Sequence, residues 1–269
     1  MTPHHPHTEA TVGSLADRVV LEACVETLGE ALAAQRAGAA RVELCAGLVE
    51  GGTTAGAGTM AAVLDRLTIP VFVMVRPRGG DFLYDADDLA VMLQDIAAAK
   101  RAGAHGIASG ALAPDGTIAE EQVRRLRDAA GSLPFTFHRA FDCTRDLERS
   151  LDALLRLGVD RVLTSGGAPT ALAGADRIAS LVRQAGDGLV VMAGGGVRAP
   201  HVAALVRRSR VREVHARPVR REVSGMTFHQ PSVRLGQSVV TGTDREVLDG
   251  EAVRELATAL AGLPGTPGP

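Results

Sequence analysis

Short β-branched or apolar runs alternate with 3.6-period helix patterns, eight times along one chain, from Val19 to Ala216. That alternation predicts an α/β fold of parallel strands with crossover helices, and eight units match a closed (β/α)8 TIM barrel with a C-terminal extension. The length of 269 residues agrees, since one such barrel takes about 250. An open doubly wound sheet with one extra unit is the alternative. The strands are expected at Val19–Val25, Arg41–Cys45, Val71–Arg76, His105–Ser109, Phe135–Arg139, Arg161–Ser165, Leu189–Ala193 and Glu213–Ala216. Four helices are legible with their stops: Thr27–Ala37 before Gly38, Asp85–Arg101 before Gly103, Ala119–Ala130 before Gly131, and Asp146–Leu157 before Gly158. A glycine just past each supplies the left-handed cap.

Outside the barrel the pattern changes. Residues 1–17 form a Pro/His-rich tail, expected to be disordered, in which His4, His5 and His7 would bind metal only adventitiously. The barrel is assigned to 18–216 and the extension to 217–269. Residues 217–245 carry no clear periodicity, and Asp249–Leu260 reads as a last helix packing on the barrel.

Composition narrows the function. Twenty-nine basic against thirty-one acidic residues argue against a general binder of nucleic acid or anionic membrane. Tyr84 is the only tyrosine and there is no tryptophan, so a base-stacking platform is disfavoured. Lys100 is the only lysine, and it falls at the polar end of a helix; Schiff-base and Walker-type chemistry both need a lysine at the site. Cys24, Cys45 and Cys143 are too few and too odd for a disulfide framework. With no leader-like segment and no apolar run of about 18 residues, a soluble cytoplasmic protein is expected.

Barrel chemistry sits at the C-terminal strand ends, and here nearly every strand ends in a polar residue. Strands 1 and 2 repeat Glu-x-Cys, so Glu22 and Cys24 share one face, as do Glu43 and Cys45. Adjacent strands lie about 4.7–4.9 Å apart, which would gather two thiols and two carboxylates at one corner. Paired thiolates suit a soft ion such as Cu(I), but cysteine is also a common buried residue. The glutamates need partners if buried, and Arg76 and Arg139 are the expected ones; the readings are structural ion pairs or a substrate site. His138 and Asp142 read as general base and orienter, with Glu22 and Glu43 as further catalytic candidates; a buried structural His138 fits as well. His215 is equally ambiguous, and His105, at a strand start, is expected to be inert. The Gly194, Gly195, Gly196 run after strand 7 and the Ser165 turn after strand 6, with Arg76, Arg78 and Arg139 nearby, suggest an anion site on backbone N–H groups. Arg207, Arg208, Arg210, Arg212, Arg217, Arg220 and Arg221 read as a solvated surface or subunit contact.

The segments LEACVETLGEALAAQRAGAARVELCAGLVEGGTTAG, IPVFVMVRPRGGDFLY, FTFHRAFD, RVLTSGG, VMAGGGV, EVHA and SGMTF together resemble the CutC family, called copper homeostasis proteins. The resemblance runs from about Leu21 to the last helix. It implies a cytoplasmic (β/α)8 barrel that self-associates as a homodimer or larger, with a role in copper handling and Cu(I) thiolates at Cys24 and Cys45. The chain departs from the family pattern at Ser109, where a Phe is frequent, at Ala193, where Pro is usual, and in the Arg217–Pro218 step after His215 and Ala216. Alongside copper handling, the mouth residues keep open an enzyme acting on a small anionic or phosphorylated metabolite, and a non-catalytic metabolite-binding or scaffold barrel.

Overall fold

The computed structural model describes residues 18–228, Gln230, Ser232 and 244–263. The Pro/His-rich tail with His4, His5 and His7, and its expected disorder, lie outside the described residues. The order is β1 (Val20–Val25), α1 (Leu28–Arg36), β2 (Arg41–Leu44), α2 (Ala57–Arg66), β3 (Val71–Met74), α3 (Ala86–Ala102), β4 (Gly106–Ser109) and α4 (Glu120–Ala130). It continues with β5 (Phe135–Phe137), α5 (Leu147–Arg156), β6 (Arg161–Thr164), α6 (Ala175–Ala185), β7 (Val190–Gly194), α7 (Ala199–Ser209) and β8 (Glu213–Ala216). Strands β1 to β8 are all parallel and close into a barrel through β1 against β8, where Glu22 is level with His215. The open-sheet alternative is thereby excluded.

Local chemistry sets the helix ends. The Asp85 carboxylate accepts from the Asp87 and Asp88 N–H groups at 2.9 and 2.8 Å, and Asp146 accepts from Arg149 at 3.0 Å. Each is an N-cap, typically worth about 1 kcal/mol. Gly103 closes α3 at φ 91°, a conformation in which a side chain would be strained.

The barrel strands place most of their apolar side chains outward and their charged ones inward. Val42, Leu44, Val73, Ile107, Phe135, Phe137, Val162 and Val214 are buried between barrel and helices, joined by Met92, Ile96, Leu126, Leu151 and Leu154 from α3, α4 and α5. Inside the barrel lie Glu22, Arg41, Glu43, Thr136, Arg161 and Glu213, all buried. Such interiors are commonly filled with branched apolar residues; this one holds charges, which need mutual pairing to be tolerated.

The extension is more ordered than its sequence suggests. Strands β9 (Val219–Glu222) and β10 (Arg245–Leu248) form an antiparallel pair, and α8 (Gly250–Ala261), capped by Asp249, packs on α1 and α7. The aperiodic reading of 217–245 is corrected at both ends. Four-residue strands with charges on both faces carry no period-2 hydrophobic signal.

Candidate functional site

A charged floor inside the barrel holds the site in place. Alternation along β2 points Arg41, Glu43 and Cys45 inward together. Arg41 is paired with Glu22 and, at 2.6 Å, with Glu213. Arg161 reaches the same Glu213 through two bonds of 2.6 and 3.0 Å. Both guanidinium groups pack on the Phe72 ring, 4.8 and 5.3 Å from its centre. Two arginines and two glutamates thus balance in charge beneath the mouth. The expected partners of the glutamates, Arg76 and Arg139, are not the ones used: the strand-starting Arg41 and Arg161 lie deeper in the barrel, at the level of Glu22 and Glu213.

Above that floor, Glu22 Oε1 lies 2.8 Å from His215 Nδ1, and His215 Nε2 lies 3.7 Å from Glu43 Oε2. The Cys45 thiol donates toward Glu43 Oε2 at 3.5 Å, and the two sulfurs, Cys24 and Cys45, are 3.7 Å apart. Strand pairing that sets Cys24 level with Glu43 creates this corner. Electrostatics divide the thiols. The adjacent Cys45 thiol lowers Cys24 to about 6 against the effect of burial, with His215 and Arg217 adding to it. Cys45 is pushed up by Cys24, by burial and by Glu43. Burial raises Glu43 to about 8, and its Oε1 has no hydrogen-bond partner. For Glu22 burial is outweighed by the His215 bond and by Arg41, which lower it. Burial likewise opposes the charge on His215, but Glu43, Cys24 and Glu22 raise it.

A cavity of about 260 Å³ opens over the thiols, walled by Leu48, Met74, Phe82 and Leu163, with His138 and His215 among its polar lining. His138 Nδ1 accepts from the Ala140 N–H at 3.3 Å, so the proton sits on Nε2, which has no partner. Burial and the Arg76 charge lower His138 to about 3. In this tautomer the ring presents a donor at Nε2. Asp142 does not orient it. Its carboxylate lies in the β6 loop instead, accepting from Ser165 N and Gly167 N at 3.0 Å and Thr164 Oγ1 at 2.5 Å. Arg139 braces the same carboxylate at 2.8 Å and bonds Ser165 Oγ at 3.0 Å. The Ser165 turn is therefore filled from within.

The remaining candidates separate. Gly195 and Gly196 line the cavity, as do Arg76 and Arg139. Gly194 packs too closely for a side chain, whose Cβ would come within 2.5 Å of Leu163. Arg76 spends its Nη groups on the carbonyls of Glu50, Gly52 and Gly80, at 2.7 to 2.8 Å. Arg78 does not line the cavity; it pairs with Asp81 and Asp88, each at 3.1 Å. His105, as expected, has a structural bond, accepting from Val71 N at 3.2 Å. Arg217 leaves the supposed surface cluster to pair with Glu30 at 2.9 Å and Glu26 at 3.2 Å, beside the mouth. Sequence reasoning missed Arg41, Arg161 and Glu213, although Arg-x-Glu-x-Cys and Glu-x-His at period two signal them. It also missed Arg198, in the loop after β7.

Fold and site define a (β/α)8 barrel whose mouth carries a soft-donor pair beside a carboxylate-backed histidine. The chain belongs to the CutC family, whose model matches residues 19–219. It is 47% identical over 219 residues to the family protein CutC of Mesorhizobium japonicum, covering 81% of this chain and 85% of that one. To the human copper homeostasis protein cutC homolog it is 44% identical over 224 residues, covering 83% and 82% respectively. A crystal structure of CutC from Streptococcus agalactiae superposes with a TM-score of 0.70 at 33% identity, covering 73% of this chain and 97% of that one. Among the described residues, no helix is long and apolar enough to cross a membrane.

Proposed function

We propose that this chain binds Cu(I) through Cys24 and Cys45 and serves copper handling. The observation that carries the reading is the pairing of two sulfurs 3.7 Å apart beside a histidine whose Nδ1 is held by a carboxylate at 2.8 Å. That carboxylate fixes the ring, and the histidine beside the thiols favours the Cys24 thiolate. Thiolate is the liganding form, and Cys24 is favoured as thiolate near neutral pH. At a metal–sulfur length of about 2.3 Å, a typical thiolate value, that sulfur spacing gives a bent geometry and leaves room for a third donor. Ligand softness selects copper(I) over harder ions. A self-associating, cytoplasmic protein is the setting that the family resemblance implies.

Copper K-edge absorption spectroscopy on the one-to-one complex tests the donor set. Two sulfurs are expected in the first shell. A first shell of nitrogen and oxygen alone would overturn the assignment.

A further inference from the structure

The mouth contains a second group of donors that the thiol corner does not use. His138 is 3% exposed, yet its Nε2–H has no acceptor while the ring lines the cavity. The ring is fixed: Phe82 packs on it at 5.1 Å, and a Cβ on Gly110 would come within 2.9 Å of it. A buried, rigid donor without a partner, on a ring that lines a cavity, is one that a ligand's acceptor would satisfy.

The β7–α7 loop supplies the rest. Gly195 and Gly196 have φ of 103° and 69°, and neither N–H has an acceptor among the described residues. Arg139 crosses the loop so closely that a Cβ on Gly195 would lie 3.5 Å from its Nη1. Arg198, at the start of α7, lines the cavity, and its guanidinium donates only to the Val197 carbonyl, at 2.8 Å. The neighbouring β6 loop shows how such a turn treats an anion: there the Asp142 carboxylate takes the Ser165 and Gly167 N–H groups. The β7 loop has no internal carboxylate in that role.

We propose that the β7–α7 loop and the adjoining cavity bind a small phosphate ester. The phosphate lies against the Gly195 and Gly196 N–H groups, Arg139 and Arg198, and the organic part reaches over Phe82 to place an acceptor oxygen on His138 Nε2–H. Two guanidinium groups and successive N–H donors match a dianion with three acceptor oxygens. The volume, about 260 Å³, is below the roughly 300–1,000 Å³ of drug-sized sites, so a metabolite smaller than a nucleotide fits. The ester shares the cavity with the thiols, which also line it, but takes no donor from either cysteine.

Phosphorus-31 NMR titrations of the full chain with sn-glycerol 3-phosphate and with inorganic phosphate test it, with glycerol as the uncharged control in thermal shift. The ester is expected to bind saturably and at least tenfold more tightly than phosphate, and glycerol not at all. Arg198→Ala should weaken both anions about tenfold or more. His138→Phe should weaken only the ester and erase its margin over phosphate. Should that variant fail to fold, Arg198→Ala, at the cavity rim, decides alone. Replacing both Cys24 and Cys45 by serine should change neither affinity. No saturable binding of the ester, or binding indifferent to Arg198→Ala, or loss of ester binding in the double cysteine variant, would each overturn the proposal.

Discussion

His138 shows how much a single hydrogen bond decides. With Nδ1 accepting from Ala140, the ring is held as the neutral Nε2–H tautomer, while burial and the Arg76 charge defer its protonation to about pH 3. An unfolded histidine takes up its proton near 6.5. Between these values the unfolded chain binds more protons, so stability rises with pH across that window; the contribution is complete above about 6.5 and is lost toward 3. Urea denaturation from about pH 4.5 to 7.5 should therefore show a shallower pH slope for His138→Phe than for the unaltered chain. Identical slopes would contradict the assignment. At the same scale, the thiol corner is legible in the sequence, because Glu-x-Cys occurs twice and period two fixes its face. The role of Asp142 is not legible there: four residues from a histidine in sequence, it turns to another loop's N–H groups, and no local spacing reveals that.

At the scale of elements, the strands are legible almost to the residue, since alternating β-branched runs between glycine turns are a strong local signal. Helices α2 and α6 are harder, for each begins after a glycine with no side-chain cap. Helix α7 follows an arginine, which is not among the usual cap residues. Strand interiors hold a second lesson. Arg41 and Arg161 look like ordinary strand-starting residues, but alternation from Glu43 and Ser165 carries both inward. Their pairing with Glu22 and Glu213 is the support on which His215 rests. Removing one member leaves a buried charge uncompensated, at a cost of about 3–5 kcal/mol. Arg161→Met should lower the unfolding free energy by about that amount in chemical denaturation. Replacing Glu213 by Leu as well should restore part of the loss. A loss under about 1 kcal/mol for the single variant would mean that Glu213 is adequately held by Arg41.

At the scale of the whole molecule, the extension and the barrel share one seam. Leu248 N donates to Glu30 Oε1 at 2.9 Å, Asp249 N to the Pro218 carbonyl at 2.9 Å, and Arg217 joins Glu26 and Glu30 beside β1. Helix α8 buries Val253, Leu256 and Leu260 along the same side. Leu256 is fully buried, so Leu256→Ala should cost about 2–5 kcal/mol. Far-UV dichroism and tyrosine fluorescence should still report a single coincident transition. An earlier separate transition would mean that the extension melts on its own. None of this seam follows from local pattern, because Glu30 and Leu248 are 218 residues apart.

The Cu(I) affinity tests the central reading most directly. The full chain, with His4, His5 and His7 replaced by alanine, would compete anaerobically with a chromogenic chelator. One-to-one binding at sub-picomolar strength is expected, weakened at least a thousandfold by Cys24→Ser or Cys45→Ser and less severely by His215→Ala. Affinity that ignores both cysteine replacements, or never rivals the chelator, would contradict copper as the ligand of this corner.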